Sequence, residues 1–191
     1  MKKNKLLCAA ISLCLALLFI LSLTSCVYSD EIIPCIDVLN ALTAIEIGLP
    51  AGKIYSATAR EGEEGYISDS LLASLFGGGE KITLFEGWLD YAFFLPSGNH
   101  PCEIVVILCD TPTTAKDTAR LLSRRLNTLR SANKASANAE RTQYLENAAV
   151  MINRNYVLLI ISSDTETLKK KAFVATGSFI KISRPSDTAT A

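Results

Sequence analysis

Two uninterrupted apolar runs, residues 104–108 and 157–161, constrain the fold of this chain more than any other feature. Neither run alternates between apolar and polar side chains, as a strand with one wet face does. Strands that lack this alternation are typically covered on both faces. The two runs are therefore predicted to be central strands of a sheet.

Each central run has a predicted neighbour, with turn-forming residues between the two. Residues 88–95 are rich in aromatic side chains, which favours a strand, and residues 96–101 contain proline, glycine and asparagine. This pattern predicts a hairpin with the strand at 103–109. Residues 148–152 and 156–162 flank an Asn-Arg-Asn turn and are predicted to form a second hairpin.

The remaining segments predict a short strand at 53–57 and four helices. The first helix starts at Pro34, the second is capped by Ser68 or Asp69, the third runs from Asp110 or Thr111 to Arg130, and the last is capped by Asp164 or Thr165. The inward face is predicted to carry Val38, Leu39, Leu42 and Ile45 in the first helix and Ala119, Leu122, Leu126 and Leu129 in the third. The last helix contains Leu168, Ala172 and Phe173. Residues 131–139 are small and polar, and we expect a frayed helix end or a mobile loop there.

The order of these elements lacks the strict alternation of strand and helix that builds parallel sheets. We expect an α+β fold with an antiparallel or mixed sheet of about four to five strands, packed with about four helices. A single α+β domain is predicted for residues 34–182, and residues 183–191 are predicted to be a disordered tail.

The N-terminal residues have the pattern of an export signal. Lys2, Lys3 and Lys5 precede an apolar run at 6–23, and Leu23-Thr24-Ser25-Cys26 closes it. This ending matches the lipobox of bacterial lipoproteins, in which a diacylglyceryl group is attached to the cysteine sulfur and a peptidase cuts just before it. By this resemblance, residues 1–25 are a lipoprotein signal peptide, Cys26 is the lipidation site, and residues 26–33 are the lipidated N-terminus and a spacer.

An uncleaved transmembrane anchor is the competing interpretation of residues 6–23, which approach the roughly 20 apolar residues that span a bilayer. The lysines stay on the cytoplasmic side in both interpretations, so Asp30 and Glu31 lie outside in both. The expected location is therefore the extracytoplasmic side of the cell membrane.

The charge of the expected mature chain excludes one class of function. The signal removes three of the 19 basic residues and none of the 19 acidic ones, which leaves 16 against 19 and a net charge of −3 with histidine neutral. Nucleic-acid binding requires an excess of positive charge. We therefore expect no nucleic-acid partner.

Three of the six cysteines, Cys35, Cys102 and Cys109, remain after the signal and the lipidation site are set aside. Cys102 and Cys109 bracket a predicted strand, so about 23 Å separates them and they point to opposite faces. They are not expected to bond to each other. A bridge from Cys35 to one of them, or three buried thiols, are the alternatives that the sequence leaves open.

No residue pattern carries a chemical signature. His100, Cys102, Cys109 and Asp110 are potential metal ligands close in sequence, but their spacing matches no established metal motif. His100 is the sole histidine, and no nucleophile motif accompanies it. The three glycines at 77–79 lack the lysine pattern of a phosphate-binding loop. We expect no catalytic residues, no metal and no cofactor, and a domain that is not an enzyme.

Two surfaces are candidates for binding. Lys116, Arg120 and Arg124 recur at four-residue steps on the third helix, with Arg125 and Arg130 nearby, and form a predicted basic stripe for anionic lipid or cell-wall polymers. An ordinary exposed helix face is the alternative. Trp88, Tyr91, Phe93 and Phe94 are predicted either to line a ligand pocket or to pack in the core.

The chain resembles a family of uncharacterised bacterial lipoproteins that carry one small extracytoplasmic domain, mostly from Gram-positive anaerobes. The resemblance rests on the lipobox, the strand at 103–106 followed by a helix with Arg124 and Arg125, the Gln143-Tyr144 segment, and the strand at 155–157 leading to Asp164. It implies a compartment and an architecture, and no active-site residues.

Two functions follow as hypotheses. The leading one is a membrane-tethered interaction or accessory domain, with membrane lipid bound through acylated Cys26 and an envelope protein as partner. The alternative is a lipoprotein that binds a small ligand or a cell-wall fragment.

Overall fold

The computed structural model describes residues 32–46, 48–77, 83–136 and 138–177. The predicted signal, the lipidation site and the predicted C-terminal tail lie outside these residues. The strands are β1 (Gly52–Ser56), β2 (Trp88–Pro96), β3 (Glu103–Cys109), β4 (Ala149–Asn153) and β5 (Tyr156–Ile161). The helices are α1 (Cys35–Thr43), α2 (Asp69–Leu72), α3 (Pro112–Ser136), α4 (Ala139–Asn147) and α5 (Thr165–Thr176). A π-helical turn (Ala73–Gly77) extends α2, and a 3₁₀ turn (Thr83–Gly87) leads into β2.

The five strands form one sheet in the order β1-β2-β3-β5-β4, and every neighbouring pair is antiparallel. The predicted α+β fold is confirmed, with the antiparallel rather than the mixed sheet. Both predicted hairpins, β2–β3 and β4–β5, are present. The described part of the chain has five helices where about four were predicted.

The two ends of the sheet organise the rest of the molecule. At one end, Trp88 pairs with Cys109, and Tyr156 pairs with both Leu108 and Asn153; we call this the Tyr156 end. At the other end, Glu103 pairs with Ile161; we call this the Glu103 end. Helix α1 runs from the Tyr156 end, where Cys35 binds Asp90, towards Glu46 at the Glu103 end.

Both faces of the sheet are covered. All residues of β3 and β5 are buried, so the prediction of two central strands with both faces covered is confirmed. On one face, Val105 and Leu159 belong to a core with residues of α3 and α4, which include Leu122 and Leu145. On the opposite face, the core joins β3 and β5 to α1 and α5; it includes Val38, Leu39, Leu42, Val106, Leu158, Leu168 and Ala172.

A buried ion pair fixes α3 against the sheet. The guanidinium of Arg125 forms two 2.7 Å hydrogen bonds with the carboxylate of Glu103, and both side chains are largely buried. The guanidinium of Arg125 also donates a 2.6 Å hydrogen bond to the Leu75 carbonyl oxygen. The same group lies 5.3 Å from the centre of the Phe76 ring. Arg125 therefore connects α3, β3 and the π-helical turn.

Residues 131–139 differ from the prediction of a frayed end or a mobile loop. Helix α3 continues to Ser136, and α4 begins at Ala139. The physical reason is tertiary: Asn133 is buried and donates a 2.7 Å hydrogen bond to Thr142 of α4. Arg130 donates a 2.9 Å hydrogen bond to the Leu145 carbonyl. Packing against α4 thus stabilises the last turns of α3.

One apolar side chain, that of Ile45, lies outside the face predicted for it. Helix α1 ends at Thr43, so Ile45 lies beyond the helix and is exposed, whereas Val38, Leu39 and Leu42 are buried. Phe173 is exposed in α5, although Leu168 and Ala172 of the same helix are buried. Of the two proposed caps for the second helix, Ser68 is the residue used, since its hydroxyl accepts from the Leu71 amide.

All three remaining cysteines are free and buried. Cys102 belongs to the core on the α1 face and Cys109 to the core on the α3 face, as the strand between them predicts. The structure therefore has the three buried thiols rather than a bridge from Cys35.

Candidate functional site

The potential metal ligands that are close in sequence are separated in the fold. His100 and Cys102 precede β3 at the Glu103 end, whereas Cys109 ends β3 and Asp110 follows it at the Tyr156 end. Among the described residues, no group of three or more histidine, cysteine, aspartate or glutamate side chains is placed to hold a metal ion.

His100 instead contacts a helix that the sequence did not predict. Its ring meets Tyr144 of α4 edge-on, with 5.3 Å between the ring centroids. Its Nδ1 accepts a 3.1 Å hydrogen bond from the Cys102 amide. Because Nδ1 is the acceptor, the neutral ring carries its proton on Nε2, where it is available as a donor.

A buried carboxylate lies at the same end of the sheet. Glu46 follows α1 and is only 9 % exposed. Ser162 donates a 2.5 Å hydrogen bond to one carboxylate oxygen, and Ser163 donates a 3.1 Å hydrogen bond to the other. Of the described lysines and arginines, none forms an ion pair with Glu46, so hydroxyl groups satisfy it.

Tyr144 lies between these groups. Burial raises the pKa of Tyr144, the Ser163 side chain acts in the opposite direction, and the nearby Cys102 and Glu46 raise it further. We call Glu46, His100, Tyr144, Ser162 and Ser163 the Glu46 cluster. It joins α1, the β2–β3 turn, α4 and the end of β5, so only the folded chain assembles it.

Arg141 lies one helical turn before Tyr144. Its Nη1 donates a long 3.4 Å hydrogen bond to the Asn99 carbonyl oxygen. Its Nε is buried and has no hydrogen-bond partner among the described residues. Buried donors are almost always paired, so this N–H is a position where an acceptor from a ligand would be stabilised.

The Glu46 cluster offers recognition chemistry. Ser162 and Ser163 donate to Glu46 rather than to His100, so the two serines and the histidine do not form a Ser–His pair. The cluster provides carboxylate and hydroxyl oxygens, an imidazole N–H and a nearby guanidinium. Such a set binds polar groups by hydrogen bonds.

The aromatic strand packs in the core. Trp88, Phe93 and Phe94 are buried, and Phe94 lies on the opposite face of the sheet from the other two. The Trp88 indole N–H donates a 2.9 Å hydrogen bond to Thr118, and Tyr91 stacks on Phe93 at 4.9 Å. Of the two alternatives for these residues, the structure has the core.

The basic stripe on α3 is smaller than predicted. Lys116, Arg120 and Arg124 are exposed, and Arg120 pairs with Asp117. Arg125 and Arg130 do not belong to the stripe, because they point inwards and bind Glu103 and the Leu145 carbonyl. The stripe therefore consists of three side chains, one of them partly neutralised.

Cys26, the one residue with a predicted role, lies outside the described residues. None of the helices in the described ranges is both long and apolar enough to cross a membrane. No protein-family model, no curated protein and no solved structure matches the chain.

Proposed function

We propose that this chain is a bacterial lipoprotein whose domain is a non-enzymatic interaction or accessory domain on the extracytoplasmic side of the cell membrane. The observation that carries the proposal is the sequence Leu23-Thr24-Ser25-Cys26 directly after a basic start and a long apolar run. The resemblance to lipoproteins of this kind supports it. Two acyl chains on Cys26 are sufficient for stable attachment, whereas one chain is marginal.

The start of the folded domain is compatible with a short tether. The Tyr156 hydroxyl binds both the N–H and the C=O of Ile33, at 2.9 and 2.7 Å. Seven residue steps lie between Cys26 and Ile33, so the extended tether is at most about 25 Å long. A lipid on Cys26 would therefore hold the Tyr156 end close to the bilayer.

The opposite end of the sheet carries the Glu46 cluster. A partner that approaches from the envelope side would meet polar side chains there, among them Tyr144 and Ser163. The proposed partners are membrane lipid, through the acylated N-terminus, and an envelope protein. The net charge of −3 expected after removal of residues 1–25 does not favour a nucleic-acid partner.

Metabolic labelling with a fatty-acid analogue tests the anchor. The full-length chain is expected to incorporate the label, and Cys26→Ala is expected to lose it. Cys35→Ala is the matched control and should keep it, because Cys35 is a buried thiol of the folded domain. Continued labelling of Cys26→Ala would contradict the proposal.

In-cell crosslinking followed by purification tests the accessory role. Enrichment of the same envelope protein with the wild-type chain, and its loss with Tyr144→Phe and Ser163→Ala, would support an interaction through the Glu46 cluster. An empty purification would favour the second candidate.

The second candidate is binding of a small polar ligand or cell-wall fragment, and the unpaired Arg141 Nε beside the Glu46 cluster favours it. Trp88 is a poor reporter for such a ligand, since it lies at the Tyr156 end of the sheet. Ligand-observed NMR with peptides and glycan fragments, compared between wild type and Arg141→Gln, tests it directly. Binding that is unchanged by Arg141→Gln would count against this site.

A further inference from the structure

The most exposed large apolar side chains of the described residues lie at one end of the molecule. Nine large apolar side chains are between 36 % and 63 % exposed, and they separate into two groups. Five are between 45 % and 63 % exposed: Ile32, Leu89, Ile152, Phe173 and Val174. The other four are between 36 % and 39 % exposed: Ile45, Ile54, Tyr66 and Leu71.

The strand register places the first group at the Tyr156 end. Leu89 lies between Trp88 and Asp90, where the β2–β3 register shifts at the start of β2. Ile152 pairs with Val157, the residue that follows Tyr156. Both side chains are therefore within the last rows of the sheet at this end.

Helix α5 and the N-terminal segment reach the same end. Asn153, which pairs with Tyr156, donates a 3.2 Å hydrogen bond to the Phe173 carbonyl oxygen, and Val174 is the next residue of the helix. Ile32 precedes Ile33, which the Tyr156 hydroxyl holds. We call Ile32, Leu89, Ile152, Phe173 and Val174 the apolar rim.

Single exposed apolar residues are normal on protein surfaces, but grouped ones mark contact surfaces. We propose that the apolar rim rests on the lipid bilayer and gives the domain a second membrane contact. This inference rests on the proposed lipidation of Cys26. The occupant is lipid rather than protein, because the tether of at most about 25 Å starts at this same end.

The charges around the rim indicate how it binds. Lys170 and Lys171, one turn before the rim residues of α5, and Arg154 are exposed and positive, whereas Glu86 and Asp110 are exposed and negative. Attraction to anionic headgroups is therefore weak, and the contact depends on apolar side chains that enter the interface, as in proteins that lie on a membrane surface. The strands then stand with the Glu103 end, and the Glu46 cluster, away from the lipid.

Quenching by brominated lipid tests the orientation in the full-length lipoprotein, reconstituted in phosphatidylcholine vesicles. One variant carries Phe173→Trp, in the rim, and the matched control carries Ile45→Trp, beside Glu46 at the opposite end. Both positions are exposed and apolar, and buried Trp88 contributes the same background to both. We expect brominated acyl chains to reduce the emission of the added Trp at position 173 by about twofold, and that at position 45 hardly at all.

Three further outcomes would overturn the inference. Absence of quenching at both positions, in protein that floats with the vesicles, would remove the rim contact and leave the lipid anchor intact. Equal quenching at both positions would show a different orientation. Failure of the wild-type protein to float with vesicles, as Cys26→Ala should fail, would overturn the anchor and the rim contact together. Leu89→Trp is a second rim probe that must agree with position 173.

Discussion

The hydroxyl of Tyr156 makes two hydrogen bonds to one residue, Ile33, accepting from its N–H at 2.9 Å and donating to its C=O at 2.7 Å. The two residues are 123 positions apart in the chain. Burial raises the pKa of Tyr156, so the phenol stays protonated at neutral pH and remains a donor. A single side chain of the second hairpin thus holds the segment that leads into α1.

Tyr156→Phe removes the hydroxyl that makes these two hydrogen bonds and keeps the aromatic ring. We expect a loss of about 1–2 kcal/mol in the free energy of unfolding, because two hydrogen bonds of about 1 kcal/mol each are lost and the backbone groups of Ile33 can bind water instead. Hydrogen exchange should show faster exchange of the Ile33 amide, with β3 amides unchanged. Unchanged protection of Ile33 would contradict the assigned role.

Glu103→Gln breaks the buried ion pair with Arg125 and leaves a buried guanidinium without its counter-charge. We expect a loss of about 3–5 kcal/mol, the usual cost of removing one partner of such a pair. Urea unfolding followed by circular dichroism measures it. Asp117→Asn removes the exposed pair with Arg120 and serves as the control, with an expected loss below about 1 kcal/mol. Equal losses would show that Glu103 and Arg125 are not the buried contact described.

Asp90 supplies an acceptor to the N-terminus of α1 from a neighbouring strand. Pro34 stands at the cap position of α1 and has no side-chain acceptor. Asp90 replaces it, since its Oδ2 accepts a 2.6 Å hydrogen bond from the Cys35 amide. Asp90→Ala is expected to cost about 0.5–2 kcal/mol, as other helix caps do. Thermal unfolding measures it, with exposed Asp37→Ala as control. A larger loss for Asp37→Ala would show that the capping role is wrong.

The three buried thiols are expected to be unreactive in the folded protein. Burial raises the pKa of Cys102 to about 12 and the pKa values of Cys35 and Cys109 above their ordinary value of 9.0. Since the thiolate is the reactive form, a thiol reagent at pH 8 should label Cys35, Cys102 and Cys109 only after denaturant is added. Rapid labelling without denaturant would contradict this prediction.

The same shifts predict how stability changes at alkaline pH. A thiol whose pKa is higher in the folded than in the unfolded chain stabilises the folded state while it is protonated. Its contribution to the free energy of unfolding is therefore complete below pH 9. For Cys102, this contribution decreases as pH rises from 9 towards about 12. The raised pKa values of Tyr91, Tyr144 and Tyr156 act in the same direction. The urea concentration at the unfolding midpoint should therefore decrease as the pH rises above 9. In Cys102→Ala, this decrease with pH should be less steep.

The strands were predictable because local patterns specify them. The prediction for β3 coincides with the observed Glu103–Cys109, since the apolar run is bounded by turn residues. The position of Arg125 was also accessible from spacing, because it lies four residues after buried Leu121 and three after buried Leu122. It shares the inward face of α3 for that reason, and grouping it with exposed Arg124 by charge alone was wrong.

Helix α4 and the Glu46 cluster were not accessible in this way. Tyr144 and Leu145 are adjacent in α4 and give no helical period, and the helix depends on contacts with Arg130 and Asn133. The residues of the Glu46 cluster come from four distant segments, and Glu46 is 116 positions from Ser162. No spacing in the sequence signals such a contact, because only the sheet topology brings it together.

The pairing of β3 with β5 joins two hairpins that are distant in the chain. The β2–β3 and β4–β5 hairpins close short loops, whereas residues 57–87 connect β1 to β2. Joining them requires Leu108 to meet Tyr156 across the whole of α3 and α4, and such distant contacts slow folding. A chain synthesised from its N-terminus therefore cannot pair both edges of β3 until residue 161 has emerged.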